Sequence, residues 1–500
     1  MYDVIIIGSG MGGLTCGALL SKEGFNVCVL EKNKQFGGCL QTFVRERVIF
    51  DSGVHYVGGL GKGQNLYQIF KYLGIMDKLK LEKLDEDAFD YIVFENDDNR
   101  YPLAQGYENF VQQLLKFFPE EEMAIRKYCD KMQEVCRKFP LYNLSFDENF
   151  EKGEVMQIGT KQFIESLTDN VRLQEVLAGN NVLYAGLPDK SPFYVHALVL
   201  NSYIEGSWKF VDGGSQIGKY LVQVIRENGG DIKRNCNVTE IVEMNGVADH
   251  VVLDNGEKLF AKNFISNIHP YNTLKMLKTE LIRHAYRSRI GSLENTISCF
   301  IINIVCKKNC FKSFKHNIYF NKEGAVWDSW QYTEDEWPKN YGIFASSSSK
   351  NRDYVEGLTL FTYMRYDDVK KWEDTFNTVS KEDDRGAEYE AFKKRKAEKL
   401  IDEAEKKIPG LRDCIQSYYT STPLTYRDYI GGDDGSLYGI VRDFKEPLKT
   451  FISPKTKLPN LFFTGQNISM HGILGVTISA LASCSSLVNM HEVLERIRKS

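Results

Sequence analysis

The apolar positions near the start of the chain change period twice within thirty residues. Residues 2–7 form a buried-strand pattern, apolar without a break from Val4 to Ile7. Residues 14–22 are small and apolar at helical spacing, and Gly24 stops them. Residues 26–30 repeat the buried-strand pattern and close on Glu31. Further on, 230–232 and 238–242 read as a strand pair feeding the same sheet. Residues 251–257 read as a hairpin with an Asn255-Gly256 turn, and 264–267 as the strand leaving the sheet. Residues 461–465 predict a last parallel strand, and 472–487 a small, apolar helix. The runs 297–305 and 359–363 are short and β-branched and predict an antiparallel sheet. Residues 76–202 read as mostly helical, with charged stretches such as 120–137. Residues 381–407 read as a solvated amphipathic helix. No internal repeat or low-complexity tract is evident. The pattern predicts an α/β chain with an α+β substrate domain.

Between the first strand and helix stands Gly8-Ser9-Gly10-Met11-Gly12-Gly13. Gly8 allows a tight turn, Gly10 lets the backbone approach a pyrophosphate, and Gly13 lets helix and strand pack closely. The helix N-terminus then offers unpaired N–H groups and a positive dipole to phosphate. Glu31 stands eighteen residues beyond Gly13, where an acid can hold a ribose hydroxyl. Five residues later come Gly37-Gly38. A nicotinamide dehydrogenase needs no glycine pair there, whereas in two-domain flavoproteins the chain turns back under FAD. A plain surface turn would look the same.

Gly37 to Phe43 (Gly-Gly-Cys-Leu-Gln-Thr-Phe) and Phe50 to Gly58 (Phe-Asp-Ser-Gly-Val-His-Tyr-Val-Gly) resemble the retinol saturase, carotenoid isomerase and phytoene desaturase group. Further matches are Tyr203, Gly206-Ser207-Trp208 and Gly213-Gly214-Ser215. Thr422-Pro423-Leu424-Thr425 with Gly435-Ser436-Leu437-Tyr438-Gly439 is another, and the last is Leu461 to Gln466 with Gly472 and Gly475. His55-Tyr56 and Gly37-Gly38-Cys39 place the chain nearest the retinol saturase branch. Gln41 and Asn467 depart from it, standing where the branch has His and Asp. The membrane-targeting segment that animal members carry ahead of the glycine turn is not matched.

The resemblance implies a two-domain FAD-linked reductase fold: a Rossmann-like FAD domain of 1–75, 203–270 and 430–500, and a substrate domain of 76–202 and 271–429. Its cofactor contacts carry over to Gly8, Ser9, Gly10, Met11, Gly12, Gly13, Glu31, Lys32, Gly37, Gly38, Cys39, His55 and Tyr56. Val238 offers its backbone to the adenine. Gly465, Gln466, Gly472, Ile473, Leu474, Gly475 and Val476 face the flavin. The chemistry implied is saturation of a double bond in a lipophilic polyene, with desaturation and redox-neutral isomerisation as alternatives. A non-redox lipid carrier resembling the GDP-dissociation inhibitors is the alternative of another class. The proton donor is sought among Tyr56, His55 and His471, with His196 and His269 behind them.

Composition narrows the partners. With 43% hydrophobic and 26% charged residues the chain is globular, not disordered, collagenous or polytopic. Its 63 Lys+Arg against 67 Asp+Glu leave nothing that calls for nucleic acid. The 30 Phe, 27 Tyr and 5 Trp suit a large apolar cavity, as they would a large core. Eleven scattered cysteines predict free thiols in a reducing compartment and no metal site. No hydrolase elbow and no second glycine-loop unit is present, since Gly58 to Gly63 lacks the frame. Electrons are therefore expected from a separate donor or from NAD(P)H visiting the flavin. No signal peptide precedes the first strand and no run is long enough to span a bilayer. A cytoplasmic protein is expected, with residues 162–200 as its candidate peripheral membrane contact.

Overall fold

The computed structural model describes residues 1–147 and 153–500. β1 (Tyr2–Ile7), α1 (Met11–Lys22) and β2 (Val27–Leu30) form the predicted opening unit. Gly8 makes its turn at φ +94°, a left-handed value that a side chain would strain. The helix begins at Met11, earlier than the apolar pattern indicates, because its first two glycine positions are themselves helical.

β3 (Asp231–Lys233), β2, β1, β4 (Lys258–Ser266) and β5 (Leu461–Phe463) lie side by side, all parallel. Ile7 is level with Leu30 on one side and Ser266 on the other. That register brings the residues that follow each strand (Gly8, Glu31 and Asn267) to one edge. Gly465 joins them after β5. The strands Val238–Met244 and Val247–Leu253 extend the sheet from β4 in antiparallel sense. The predicted turn at Gly256 has φ +83°. α2 (Gly472–Cys484) packs on α1, and so does the helix Ser215–Glu227.

A second seven-stranded sheet runs in the order Ile415–Ser421, Ser298–Cys306, Gly357–Met364, Asn340–Ala345, Asn317–Asn321, Asp90–Phe94, Tyr101–Leu103. The predicted antiparallel pairing is present: Ser298 faces Met364 and Val305 faces Gly357. Two features differ from expectation. Asp90–Phe94 pairs parallel with Asn317–Asn321, and residues 76–202 thus contribute two strands to this sheet as well as helices. The charged stretch before Asp90 hides this short strand. The unbroken apolar run of Ser298–Cys306 follows from cover on both faces. Phe300, Ile302 and Ile304 pack toward the helix Gly386–Lys407, while Cys299 and Ile301 belong to the core beneath the central cavity. On that helix Tyr389, Phe392, Leu400 and Ile401 are buried, and so is Lys396, whose ammonium meets Glu334 at 2.7 Å.

One further expectation is corrected. Cys310 and Cys414 form a disulfide, with Cα atoms 5.6 Å apart. The pairing of Cys306 with Ile415 on neighbouring strands brings the two loops together, although 104 residues separate the cysteines. The other cysteines are free, and most are buried. Within 162–200, Ile164, Val182, Tyr184, Phe193, Tyr194 and Leu198 are buried, Phe163, Leu167 and Leu183 are half-buried, and Val171 is exposed. Among the described residues no helix is long and apolar enough to cross a membrane.

Candidate functional site

A cavity of about 860 Å³ runs from the edge of the parallel sheet to the second sheet. Every cofactor residue expected from the sequence lines it except Gly13, which sits behind the wall. A Cβ on Gly13 would lie 2.0 Å from the carbonyl oxygen of Gly8, so this glycine serves the packing of α1 on its own turn. A Cβ on Gly12 would meet the Gly465 backbone at 3.2 Å, and one on Gly38 would meet Gly10 Cα at 3.2 Å. Three glycine-bearing segments therefore converge at backbone distance. No side chain caps the N-terminus of α1, where Gly10 stands. Its first N–H groups are available to an anion. The donor set and the cradle fit a dinucleotide pyrophosphate.

Glu31 is buried on the same wall. Its carboxylate accepts from Ser9 N at 3.1 Å, Ser9 Oγ at 2.6 Å and Asn33 N at 2.8 Å. These bonds hold it in place, and a carboxylate has acceptor capacity left for a hydroxyl. Lys32 Nζ donates to Asp428 O at 3.3 Å. Val238 opens its strand beside the cavity. His471 occupies the N-cap of α2, and Gly472 beside it has φ +73°.

The three candidate proton donors differ sharply. His471 donates from Nε2 to Leu183 O at 2.9 Å and lies against Tyr438, ring centroids 4.4 Å apart. His55 stacks on Phe344, also at 4.4 Å. Burial pulls both imidazoles down to about 4, so both are neutral near pH 7. Buried Lys209 lowers His55 further.

Tyr56 heads a buried network. Its hydroxyl donates to Asp90 Oδ2 at 2.8 Å and lies 2.8 Å from the hydroxyl of Tyr319, while Tyr203 stacks on its ring at 4.4 Å. Asn317 Nδ2 donates to Asp90 Oδ1 at 2.9 Å, and Asn180 Nδ2 reaches Oδ2 at 3.4 Å. Sheet register explains the cluster. Asn317 is paired with Asp90, and Tyr319 lies two residues on, on the same face of its strand. Burial drives the Asp90 carboxyl up to about 6 against these hydrogen bonds. It drives the Tyr56 phenol well above its ordinary value, with the Asp90 charge adding to the effect. Tyr56, Tyr319 and Tyr203 line the cavity, and Asp90 sits behind them.

Of the weaker candidates, His269 lines the cavity. His196 does not: it is buried between the hydroxyls of Tyr128 and Tyr184. The sequence reading missed Asp90 and Tyr319 as site residues. The one signal for Asp90 was an acid opening a short apolar run, and for Tyr319 there was none. Among the described residues no group of His, Cys, Asp and Glu has metal-binding geometry.

Known proteins bear on this geometry. The family model "Flavin containing amine oxidoreductase" matches residues 11–487. The all-trans-retinol 13,14-reductase of Danio rerio is 26% identical, covering 99% of this chain and 87% of its own. Prolycopene isomerase 2 of an Oncidium hybrid cultivar is also 26% identical, covering 96% of this chain and 82% of its own. An oxidoreductase from Methanosarcina mazei, 15% identical in its crystal structure, has the same fold at a TM-score of 0.66, covering 97% and 100% of the two chains. The parallel sheet, the glycine cradle and the full-length match agree that this chain belongs to the family of flavin-containing amine oxidoreductases.

Proposed function

We propose that the protein is an FAD-dependent oxidoreductase that saturates a carbon–carbon double bond in a lipophilic polyene or similar unsaturated lipid. The observation that carries this reading is the phenol of Tyr56 on the cavity wall, backed by the buried carboxyl of Asp90. Residues 1–75, 203–270 and 430–500 hold the cofactor, with pyrophosphate at the start of α1, ribose at Glu31 and adenine at the Val238 backbone. Residues 76–202 and 271–429 hold the substrate. Bound flavin supplies two-electron redox chemistry at the double bond.

Saturation also needs a proton at the second carbon. Tyr56 Oη delivers it, and protonated Asp90 replaces it through the hydrogen bond they share. An ionised Asp90 would leave tyrosinate beside carboxylate in a water-poor site, which like-charge repulsion opposes. The neutral histidines are worse donors: the Nε2 proton of His471 is held by a carbonyl, and His55 is stacked on an aromatic ring. His471 instead positions the start of α2.

The test is an anaerobic single turnover of the chemically reduced protein with all-trans-retinol and, separately, prolycopene. A product heavier by two hydrogens is expected from one of them. An unchanged mass with altered double-bond geometry would favour isomerisation, the activity for which the Oncidium relative is named.

Electrons reach the flavin from a separate donor or from NAD(P)H visiting its face, without a dedicated nicotinamide domain. In stopped-flow mixing, NADPH is expected to reduce it slowly and without saturation. Rapid, saturable reduction at micromolar NADPH would refute that.

A further inference from the structure

We propose that Arg442, which reaches the cavity from the segment 430–500, anchors an anionic end group, so that the site prefers an unsaturated lipid acid over an alcohol or a hydrocarbon. The inference rests on the proposed function for the reacting double bond, but its binding claim stands on separate residues. Arg442 lines the cavity together with Tyr194, Met470 and His471. Its guanidinium donates to the backbone carbonyls of Thr450 and Asn467, the latter at 2.8 Å, and reaches that of Ser469 at 3.5 Å. A guanidinium carries five N–H donors, so some remain for a ligand. Among the described residues no acid lies within ion-pair distance, and the phenol of Tyr194 is the one titratable group that favours its charge. Burial disfavours that charge.

A guanidinium that meets only carbonyls in a largely apolar wall is an unneutralised cation in a low-dielectric place. An incoming carboxylate would supply the missing counter-charge and could accept two N–H bonds at once. An alcohol could take a hydrogen bond but not balance the charge, and a hydrocarbon would do neither. The approach to the cavity has matching chemistry. Pro447, Thr450 and Phe451 line it, and Leu448 between them is 83% exposed. The stretch 445–457 contains Lys445, Lys449, Lys455 and Lys457; Lys449 pairs with Glu446 at 2.8 Å and Lys445 with Asp189 at 3.9 Å, which leaves Lys455 and Lys457 outside any ion pair among the described residues. An apolar residue among cations suits the entry of an amphipath with a negative head.

The experiment titrates the flavin-loaded protein with oleate and with oleyl alcohol, followed by the perturbation of flavin absorption. The wild type is expected to bind oleate at least about tenfold more tightly, the scale of a charge-assisted hydrogen bond. Arg442→Met is expected to weaken oleate to the level of the alcohol, with flavin content unchanged. Arg442→Lys is expected to recover part of the preference, because a point charge pairs with carboxylate without the bidentate fit. Equal wild-type affinity for the two probes overturns the proposal. So does loss of flavin from Arg442→Met, which would assign the guanidinium to the cofactor. If Arg442→Met does not fold, the wild-type comparison and the Lys variant decide. No turnover is measured, so failure of the saturation chemistry would leave this result standing.

Discussion

Gly10→Leu is expected to purify folded and without flavin. Gly10 has φ −61° and ψ 173°, a conformation open to any residue, so the substitution carries no backbone strain. Its Cβ would meet the Asn267 side-chain amide at 2.9 Å, and that flexible end can swing aside. The remainder of the leucine would project over the uncapped start of α1, where a pyrophosphate must approach to hydrogen-bond distance. Gly13→Ala is the contrasting variant. Its Cβ would lie 2.0 Å from the Gly8 carbonyl oxygen, so strand and helix must separate. It is expected to lose about 1–3 kcal/mol of stability or more, the range for overpacking a tight contact. The pair is read by flavin absorbance per mole of protein and by thermal melting. Full flavin content in folded Gly10→Leu would remove the phosphate from α1.

Tyr56→Phe and Asp90→Asn are each expected to lower kcat by about 10²–10⁴-fold, the range for losing a general acid, with flavin content retained. Asp90 also predicts the pH dependence. Its carboxyl is raised from 3.8 to about 6, chiefly by burial, with Tyr56, Asn317, Asn180 and Lys209 working in the opposite direction. The proton reservoir is therefore full below about 6, and turnover should fall as pH rises through that value. Asp90→Asn should abolish this limb. The same shift has a stability consequence of fixed sign. A carboxyl whose folded pKa is raised stabilises the fold fully below its unfolded pKa, and that contribution is lost as pH rises through the folded value. From 3.8 to about 6 this is on the order of 3 kcal/mol. Asp90→Asn should consequently gain melting temperature relative to wild type between pH 4 and pH 7 while losing activity. An Asp90→Asn protein with unchanged kcat, or with no change in the pH limb, would remove the carboxyl from proton delivery.

The cofactor half of the cavity was legible because its residues are local. Gly8 to Glu31 is one contiguous unit of strand, turn, helix and strand, and each part has its own period or breaker. The C-terminal unit from Leu461 to Cys484 repeats that logic. The half around Tyr56 is built from distant positions. Tyr56 meets Tyr319 across 263 residues and Asp90 across 34; sheet register brings Tyr319 and Asp90 together, and Tyr56 reaches them from just ahead of the strand Val57–Gly58 in another sheet. A single sequence carries no mark of register between strands so far apart. The disulfide was hidden for the same reason. Arg442 looks like any arginine until its surroundings show backbone carbonyls and, among the described residues, no carboxylate within ion-pair distance.

Deuterium on product carbon is the most direct measure of Tyr56 as the proton donor. The reduced protein is given its polyene in D₂O under anaerobic conditions, and the product is analysed by mass spectrometry and NMR. The expected product carries two carbon-bound deuteriums, one on each carbon of the former double bond, because the reduced flavin also exchanges its N–H with solvent, and Tyr56→Phe slows its formation by the same factor as it slows turnover. A product with a single carbon-bound deuterium, or one formed by Tyr56→Phe at the wild-type rate, would contradict proton delivery from Tyr56.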